Sequence, residues 1–179
     1  MSDEAYFLNT ERVAFRCWSQ ADETLATGLW GDPQVTKMLG GPFTDEQVRQ
    51  RLAREIAMMN EHGIQYWPIF LRRSGEHVGC CGLRPYKAGI PELGFHLRQP
   101  FWGMGIAKEA GAAVIEYAFT KLGVDAVFAG HDPENANSRK VLLSLGFQFI
   151  GEELYPPTGT MHPSYLLRKA DPSPAHVGS

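Results

Sequence analysis

The apolar positions of this chain change period several times, and each change predicts an element. Residues 11–18 alternate as a strand, and residues 21–39 read as one or two short helices broken by Gly31 and Pro33. Thr44 and Gln47 form a capping box that opens a helix through Met59, with Val48, Leu52 and Ile56 on its apolar stripe and His62-Gly63 as its stop. Residues 66–71 and 78–83 are strands joined by the turn Arg73-Ser74-Gly75-Glu76, and residues 91–97 are a further strand entered through Gly89. Between Met104 and Leu122, the spacing of Ile106, Ala110, Val114, Tyr117 and Ala118 predicts the strongest helix of the chain. Residues 124–130 are nearly all apolar, as in a central strand. Residues 136–145 form another helix, capped by Asn135 or Asn137 and ended by Gly146. Residues 147–151 and 164–168 close the sheet.

Strands in a run, followed by helix, strand, helix and strand, describe an α/β sheet that is mostly antiparallel with helices on both faces. The 179 residues suit one domain over positions 1–169, with 170–179 as a tail too poor in packing residues to order. A hydrophobic content of 44% with 21% charged residues is ordinary for a globular protein. No apolar run reaches the ~18 residues of a membrane span, and the acidic start is no signal peptide, which predicts a cytoplasmic protein without a membrane partner. The net charge of −3 speaks against nucleic acid. The three cysteines, Cys17, Cys80 and Cys81, have neither metal-ligand spacing nor the even number of a disulfide framework, so no metal is expected.

Candidate chemistry concentrates in Trp102-Gly103-Met104-Gly105-Ile106-Ala107-Lys108. Here a strand gives way to a helix through residues with almost no side chain. Unpaired N–H groups and roughly +0.5 of an elementary charge make such a helix start a phosphate site. The dinucleotide fingerprint G-x-G-x-x-G is not met, because Lys108 stands where its third glycine belongs.

Further on stands Asp132-Pro133-Glu134-Asn135-Ala136-Asn137-Ser138-Arg139, running into Leu145-Gly146-Phe147. These two blocks, in this order, resemble the GNAT superfamily of acyl-CoA N-acyltransferases. Gly105 and Ala107 match the superfamily's pyrophosphate loop, whereas Trp102 departs from its usual Gln or Arg. The Trp-Gly-x-Gly version, the opening Thr10-Glu11-Arg12-Val13-Ala14-Phe15-Arg16 and the strand Gly79-Cys80-Cys81-Gly82-Leu83 are similar to the branch that acetylates the N-termini of ribosomal proteins. The resemblance spans residues 10–169. It implies the GNAT fold, with a mixed and mostly antiparallel sheet in which the strands at 92–97 and 124–131 splay apart around a thioester. It also implies acetyl-CoA as co-substrate, held by Trp102, Gly103, Met104, Gly105, Ile106, Ala107, Asn135 and Asn137.

Aminolysis of a thioester needs a neutral amine, a stabilised oxyanion and a leaving thiolate that can take up a proton. Glu92, Gly94 and His96 share the strand face opposite Leu93, Phe95 and Leu97. Glu92 is the first candidate base, with His96, His131 or a water as alternatives. Gly94 suggests a bulge, which would free the N–H groups of Phe95, His96 and Leu97 for the cofactor. The resemblance gives Ser138 the role of protonating the thiolate. Residues 28–43 and 154–163 read as loops that select the acceptor. By the resemblance that acceptor is a protein α-amine; a small-molecule amine, or an acyl-CoA sensor without turnover, are the alternatives, and the chain acts as monomer or homodimer.

Overall fold

The structure, a computed structural model, describes residues 6–170. Its chain order is β1 (Leu8–Asn9), β2 (Val13–Phe15), α1 (Glu23–Trp30), α2 (Pro33–Thr36), α3 (Asp45–His62), β3 (Tyr66–Leu71), β4 (His77–Lys87), β5 (Ile90–Leu97), α4 (Ile106–Thr120), β6 (Ala126–Gly130), α5 (Ala136–Ser144), β7 (Gln148–Tyr155) and β8 (Thr160–Arg168). The strands form one eight-stranded sheet in the order β1-β2-β3-β4-β5-β6-β8-β7. Every neighbouring pair is antiparallel except β5 and β6, which run parallel. That pair meets at a single position, Glu92 opposite Phe128.

Side chains alternate across the sheet, so two cores form. Val13, Trp67, Ile69, Cys81, Leu83, Leu93 and Leu97 pack on one face against Ile106, Ala110 and Val114 of α4 and Leu142 of α5. On the other face, Tyr66 and Cys80 pack against Leu29 and Trp30 of α1 and Val48 and Leu52 of α3. The predicted capping box is present, with the Thr44 side chain accepting from Gln47 N–H and Gly63 ending α3 in a left-handed conformation. The buried stripe of α3 is Val48, Leu52 and Glu55. An acid therefore stands where the sequence pattern put only apolar residues.

Four features differ from the sequence reading. The two-residue β1 is too short to carry a periodic signal. Helix α4 starts at Ile106, not Met104, because Gly105 adopts φ +75° and interrupts the helical path. Strand β4 runs on to Lys87 through Pro85, which is tolerated beside a register shift between Pro85 and Lys87. Residues 154–163 are mostly the two arms of the β7–β8 hairpin rather than a loop; its register, Tyr155 opposite Thr160, brings the strands to within four residues of each other. The tail expected over 170–179 lies, beyond Ala170, outside the described residues.

His77, at the start of β4, is wedged between the rings of Phe70 and Trp18, with centroids at 5.3 and 5.7 Å. Burial, reinforced by the nearby Arg98 guanidinium, pushes its imidazole down to about 4. The unfolded chain takes up this proton near pH 6.5, well before the folded one does. Stability is thus complete above pH 6.5 and is lost as pH falls towards 4, by an amount on the order of 3 kcal/mol. Denaturant titrations at pH 7.5 and 4.5 should show this loss, and His77→Gln should flatten it; an equal pH dependence in both proteins would contradict the assignment.

Candidate active site

The β5–β6 separation opens a cleft of about 780 Å³ that reaches both faces of the sheet. On the α4–α5 face its walls include Gly103, Gly105, Ile106, Ala107, Asn135, Asn137 and Ser138. On the α1–α3 face they include Val35, Arg51, Tyr66, Arg84, Glu92, Gly94 and His96. The gap joins the two halves.

The α4 mouth is built from bare backbone. Gly103 and Gly105 both have positive φ, which only glycine adopts at ease. The first helical bond of α4 runs from Glu109 N–H to Gly105 C=O, so the N–H groups of Ile106, Ala107 and Lys108 point out of the helix end. A carboxylate in this first turn would repel an anion, but Glu109 is turned away. It accepts from Thr10 Oγ1 at 2.6 Å and Arg12 N–H at 2.8 Å, and it pairs with the Arg12 guanidinium. Arg12 also donates from Nη1 to Met104 C=O at 2.8 Å. The glycine loop is therefore tied to the β1–β2 end of the sheet by one arginine. Trp102 is half exposed, and its indole N–H bonds Leu97 C=O at 2.7 Å.

Along β5 no bulge occurs at Gly94, since the β4–β5 register runs unbroken from Gly79–Leu97 to Pro85–Pro91. Gly94 serves another need: a Cβ there would lie 2.3 Å from the Tyr66 hydroxyl oxygen, so its absence lets the phenol reach the gap. The backbone of His96 faces β4, where its carbonyl lies against Gly79, and Arg98 N–H bonds Val78 C=O. Phe95 and Leu97 alternate with these and direct their N–H groups into the gap. Of the three backbone groups anticipated from the sequence, His96 is thus turned the other way.

The side chain of His96 has its own partners. Trp30 Nε1–H donates to His96 Nδ1 at 3.2 Å. An indole nitrogen can only donate, so Nδ1 carries no proton and the neutral ring holds its hydrogen on Nε2. Burial and two nearby guanidiniums, Arg51 and Arg84, push this imidazole well below its ordinary range. In that tautomer His96 offers the cleft a donor rather than a base. Both ring nitrogens of His131 are engaged as well, with Asp132 C=O at 2.7 Å and Tyr165 Oη at 3.2 Å.

Glu92 is half buried and lines the gap beside the Glu92–Phe128 junction. Burial raises its carboxyl above the ordinary value, and the Arg84 guanidinium opposes the rise. At the start of α5, Asn135 Oδ1 accepts from Ser138 N–H at 3.0 Å. The cap is therefore the Asn135 side chain, and Ser138 lines the cleft without being needed for it. Cys80 lies 3.6 Å from His96 Nδ1, yet burial and Glu55 drive its thiol up to about 12, so it stays protonated and unreactive. Cys81 is likewise buried and its thiol raised.

The sequence reading did not find Tyr66, Glu55, Arg84 and Arg51. Glu55 pairs with the Arg84 guanidinium and accepts from Tyr66 N–H at 2.9 Å, while Arg84 stacks over the Tyr66 ring at 4.1 Å. One signal was present, namely an acid on the apolar stripe of α3. Such a residue needs a buried cation, and Arg84 supplies it from the strand face it meets.

A family model described as "Acetyltransferase (GNAT) domain" matches residues 12–148. The chain is 34% identical over 148 residues to the uncharacterized N-acetyltransferase p20 of Bacillus licheniformis, covering 80% of this chain and 83% of that protein. An acetyltransferase structure from Agrobacterium tumefaciens superposes with a TM-score of 0.79 at 23% identity, covering 90% of this chain and 94% of that one. The ribosomal L7/L12 α-N-protein acetyltransferase RimL, solved with coenzyme A, superposes with a TM-score of 0.76 at 15% identity, covering 89% and 95%. At these identities the superpositions speak for the fold.

If Arg12 holds the glycine loop, Arg12→Ala should cost no more than about 1 kcal/mol of global stability, since the pair is partly exposed. Its local effect should be larger. Hydrogen exchange of the Glu109 amide, which bonds Gly105 C=O, should quicken about tenfold or more, while α5 amides keep their rates. Unchanged exchange at Glu109 would show that the loop holds its shape unaided.

Proposed function

The chain belongs to the GNAT acetyltransferase family and is an acyl-CoA-dependent N-acetyltransferase; on that premise we propose that it moves an acetyl group from acetyl-CoA to the primary amine of a small molecule, by direct attack on the thioester. The observation that carries the reading is the two-sided cleft, with a phosphate-binding helix start at one mouth and a polar pocket at the other. The residues present suit acetyl-CoA. The pyrophosphate lies on the N–H groups of Ile106, Ala107 and Lys108, with Gly103 and Gly105 leaving it room. The pantetheine arm adds to the open edge of β5, bonding Phe95 and Leu97, and Asn137 and Trp102 flank it.

In the transfer, the amine nitrogen forms a bond to the thioester carbon and the carbonyl oxygen takes the electron pair. The N–H groups facing the gap stabilise this oxyanion. Glu92, directly or through one water, removes the ammonium proton. The oxyanion's electron pair re-forms the carbonyl as the C–S bond breaks, and Ser138 donates its proton to the departing thiolate. The serine oxygen regains, through water, the proton that Glu92 took up. With both cysteines near the cleft protonated, no acyl-enzyme is required. Glu92 and Ser138 on the cleft wall favour turnover over a sensor that only binds acyl-CoA.

A small acceptor is favoured over a protein N-terminus by the roof of the second mouth. The α2–α3 connection meets the β7–β8 turn so closely that a Cβ on Gly40 would lie 2.9 Å from Pro157 C=O. A folded protein would have to thread its terminus beneath that strap.

Two measurements test the assignment. Gly105→Glu puts a carboxylate at the helix start and should abolish acetyl-CoA binding in calorimetry while the melting temperature stays within a few degrees; unchanged affinity would refute the phosphate site. Glu92→Gln should lower kcat by about 10²-fold and remove the acid-side inflection of its pH profile. That inflection reports a carboxyl which must lose its proton to act, so activity falls as pH drops. A variant profile that overlays the native one would take Glu92 out of the mechanism.

A further inference from the structure

One guanidinium in the acceptor half of the cleft, that of Arg51, has no paired carboxylate among the described residues. Arg51 projects from α3 and its guanidinium stacks over the Trp30 ring at 4.9 Å. Its Nε is sealed from solvent and meets no hydrogen-bond acceptor among the described residues, and the same is true of Arg84 Nε. Among those residues Arg51 forms no salt bridge. The nearest acid on its own helix, Glu55, has one oxygen on Arg84 and the other on Tyr66 N–H. His96, beside them, is neutral. Burial and repulsion from Arg84 both act against the charge on Arg51.

A guanidinium half withdrawn from water, beside a second one and short of a counter-charge, stays in place when an anion completes the site. Its planar fork matches a carboxylate in particular, through two parallel N–H···O bonds. Glu92 lines the same pocket and attracts a cation. Together they present a positive and a negative pole, which an amine and a carboxylate on one molecule would meet.

We propose that Arg51, assisted by Arg84, is the specificity-determining residue of the acceptor site and binds a carboxylate carried by the amine substrate, so that the acceptor class is the amino acids and their close analogues. This rests on the acetyl transfer proposed above. A phosphate-bearing amine shares part of this chemistry, but its second negative charge would face Glu55 and Glu92. A peptide terminus has an amide where the carboxylate should be.

The test uses full-length protein, acetyl-CoA and matched acceptors: each amino acid, its carboxamide, its phosphonate analogue, and a dipeptide amide beginning with the same residue. Carboxamides are the weaker bases and hence more often neutral, so a preference for the acid cannot come from amine basicity. The acid should exceed its carboxamide in kcat/KM by about 10- to 100-fold, the worth of a charged hydrogen-bonded pair. Arg51→Met should bring that ratio near one, and Arg51→Lys should restore part of it. Acetyl-CoA affinity should be unchanged in both. Equal rates on acid and carboxamide, or a ratio that survives Arg51→Met, would overturn the proposal. Preference for the phosphonates or dipeptide amides would also overturn it. Calorimetry of N-acetyl amino acids against their carboxamides, on coenzyme A-loaded protein, separates the two ideas. Arg51-dependent binding of the acids without turnover would sink the catalytic reading and keep the carboxylate site, whereas turnover without acid preference would do the reverse. Should Arg51→Met not fold, Arg51→Gln serves in its place.

Discussion

Everything at this site depends on two strands that touch once and then part. Strand β6 spends one edge on β8 along its whole length, from Ala126–Arg168 to Gly130–Ser164. Its other edge meets β5 only at Glu92–Phe128. A parallel pair that stayed closed would bury its ladder and leave no passage through the sheet. Parting leaves backbone N–H and C=O groups in a semi-enclosed gap, where unpaired polar groups are costly. The fold repairs part of this itself, with the Trp102 indole on Leu97 C=O. The remaining groups form a strand edge that an extended, amide-containing ligand can complete. The pantetheine arm of coenzyme A has that character.

The gap also sets the electrostatics. Carboxyl, imidazole and thiol groups lie within one low-dielectric pocket, and burial moves each in the direction that suppresses its charge. Glu92 is raised towards a range where a carboxylate is a better base, with Arg84 limiting the rise. His96 and Cys80, which side by side suggest a nucleophile pair, are instead held neutral by burial and by the Trp30 indole. The same contacts that build the pocket thus decide which of its groups can act.

The sheet, its helices and the glycine loop were legible because each is written locally. The capping box at Thr44, the apolar stripe of α4 and the all-apolar β6 need no knowledge of the rest of the chain. The first motif block was legible for the same reason, whereas Ser138 was singled out only through the family resemblance. What stayed hidden was relational. Arg84 and Glu55 are 29 residues apart and find meaning only when α3 lies across β4. Gly94 looked like a bulge, and its real reason, the Tyr66 hydroxyl, comes from a strand two positions away in the sheet. His96 seemed a possible base until Trp30, 66 residues upstream, fixed its tautomer. Strands at 147–151 and 164–168 were legible, but the outer arms of the β7–β8 hairpin were read as a loop because Pro156, Pro157 and Gly159 at its turn masked the alternation on either side.

The central claim is that the β5 edge and the α4 helix start are one continuous binding surface for coenzyme A. Titrating coenzyme A into isotope-labelled protein and following backbone amide resonances tests it directly. The Phe95 and Leu97 amides should shift together with those of Ile106, Ala107 and Lys108, along curves described by one dissociation constant, while the His96 amide, committed to β4, moves least of the β5 group. Shifts confined to α4 with β5 unmoved, or two separate binding curves, would contradict it.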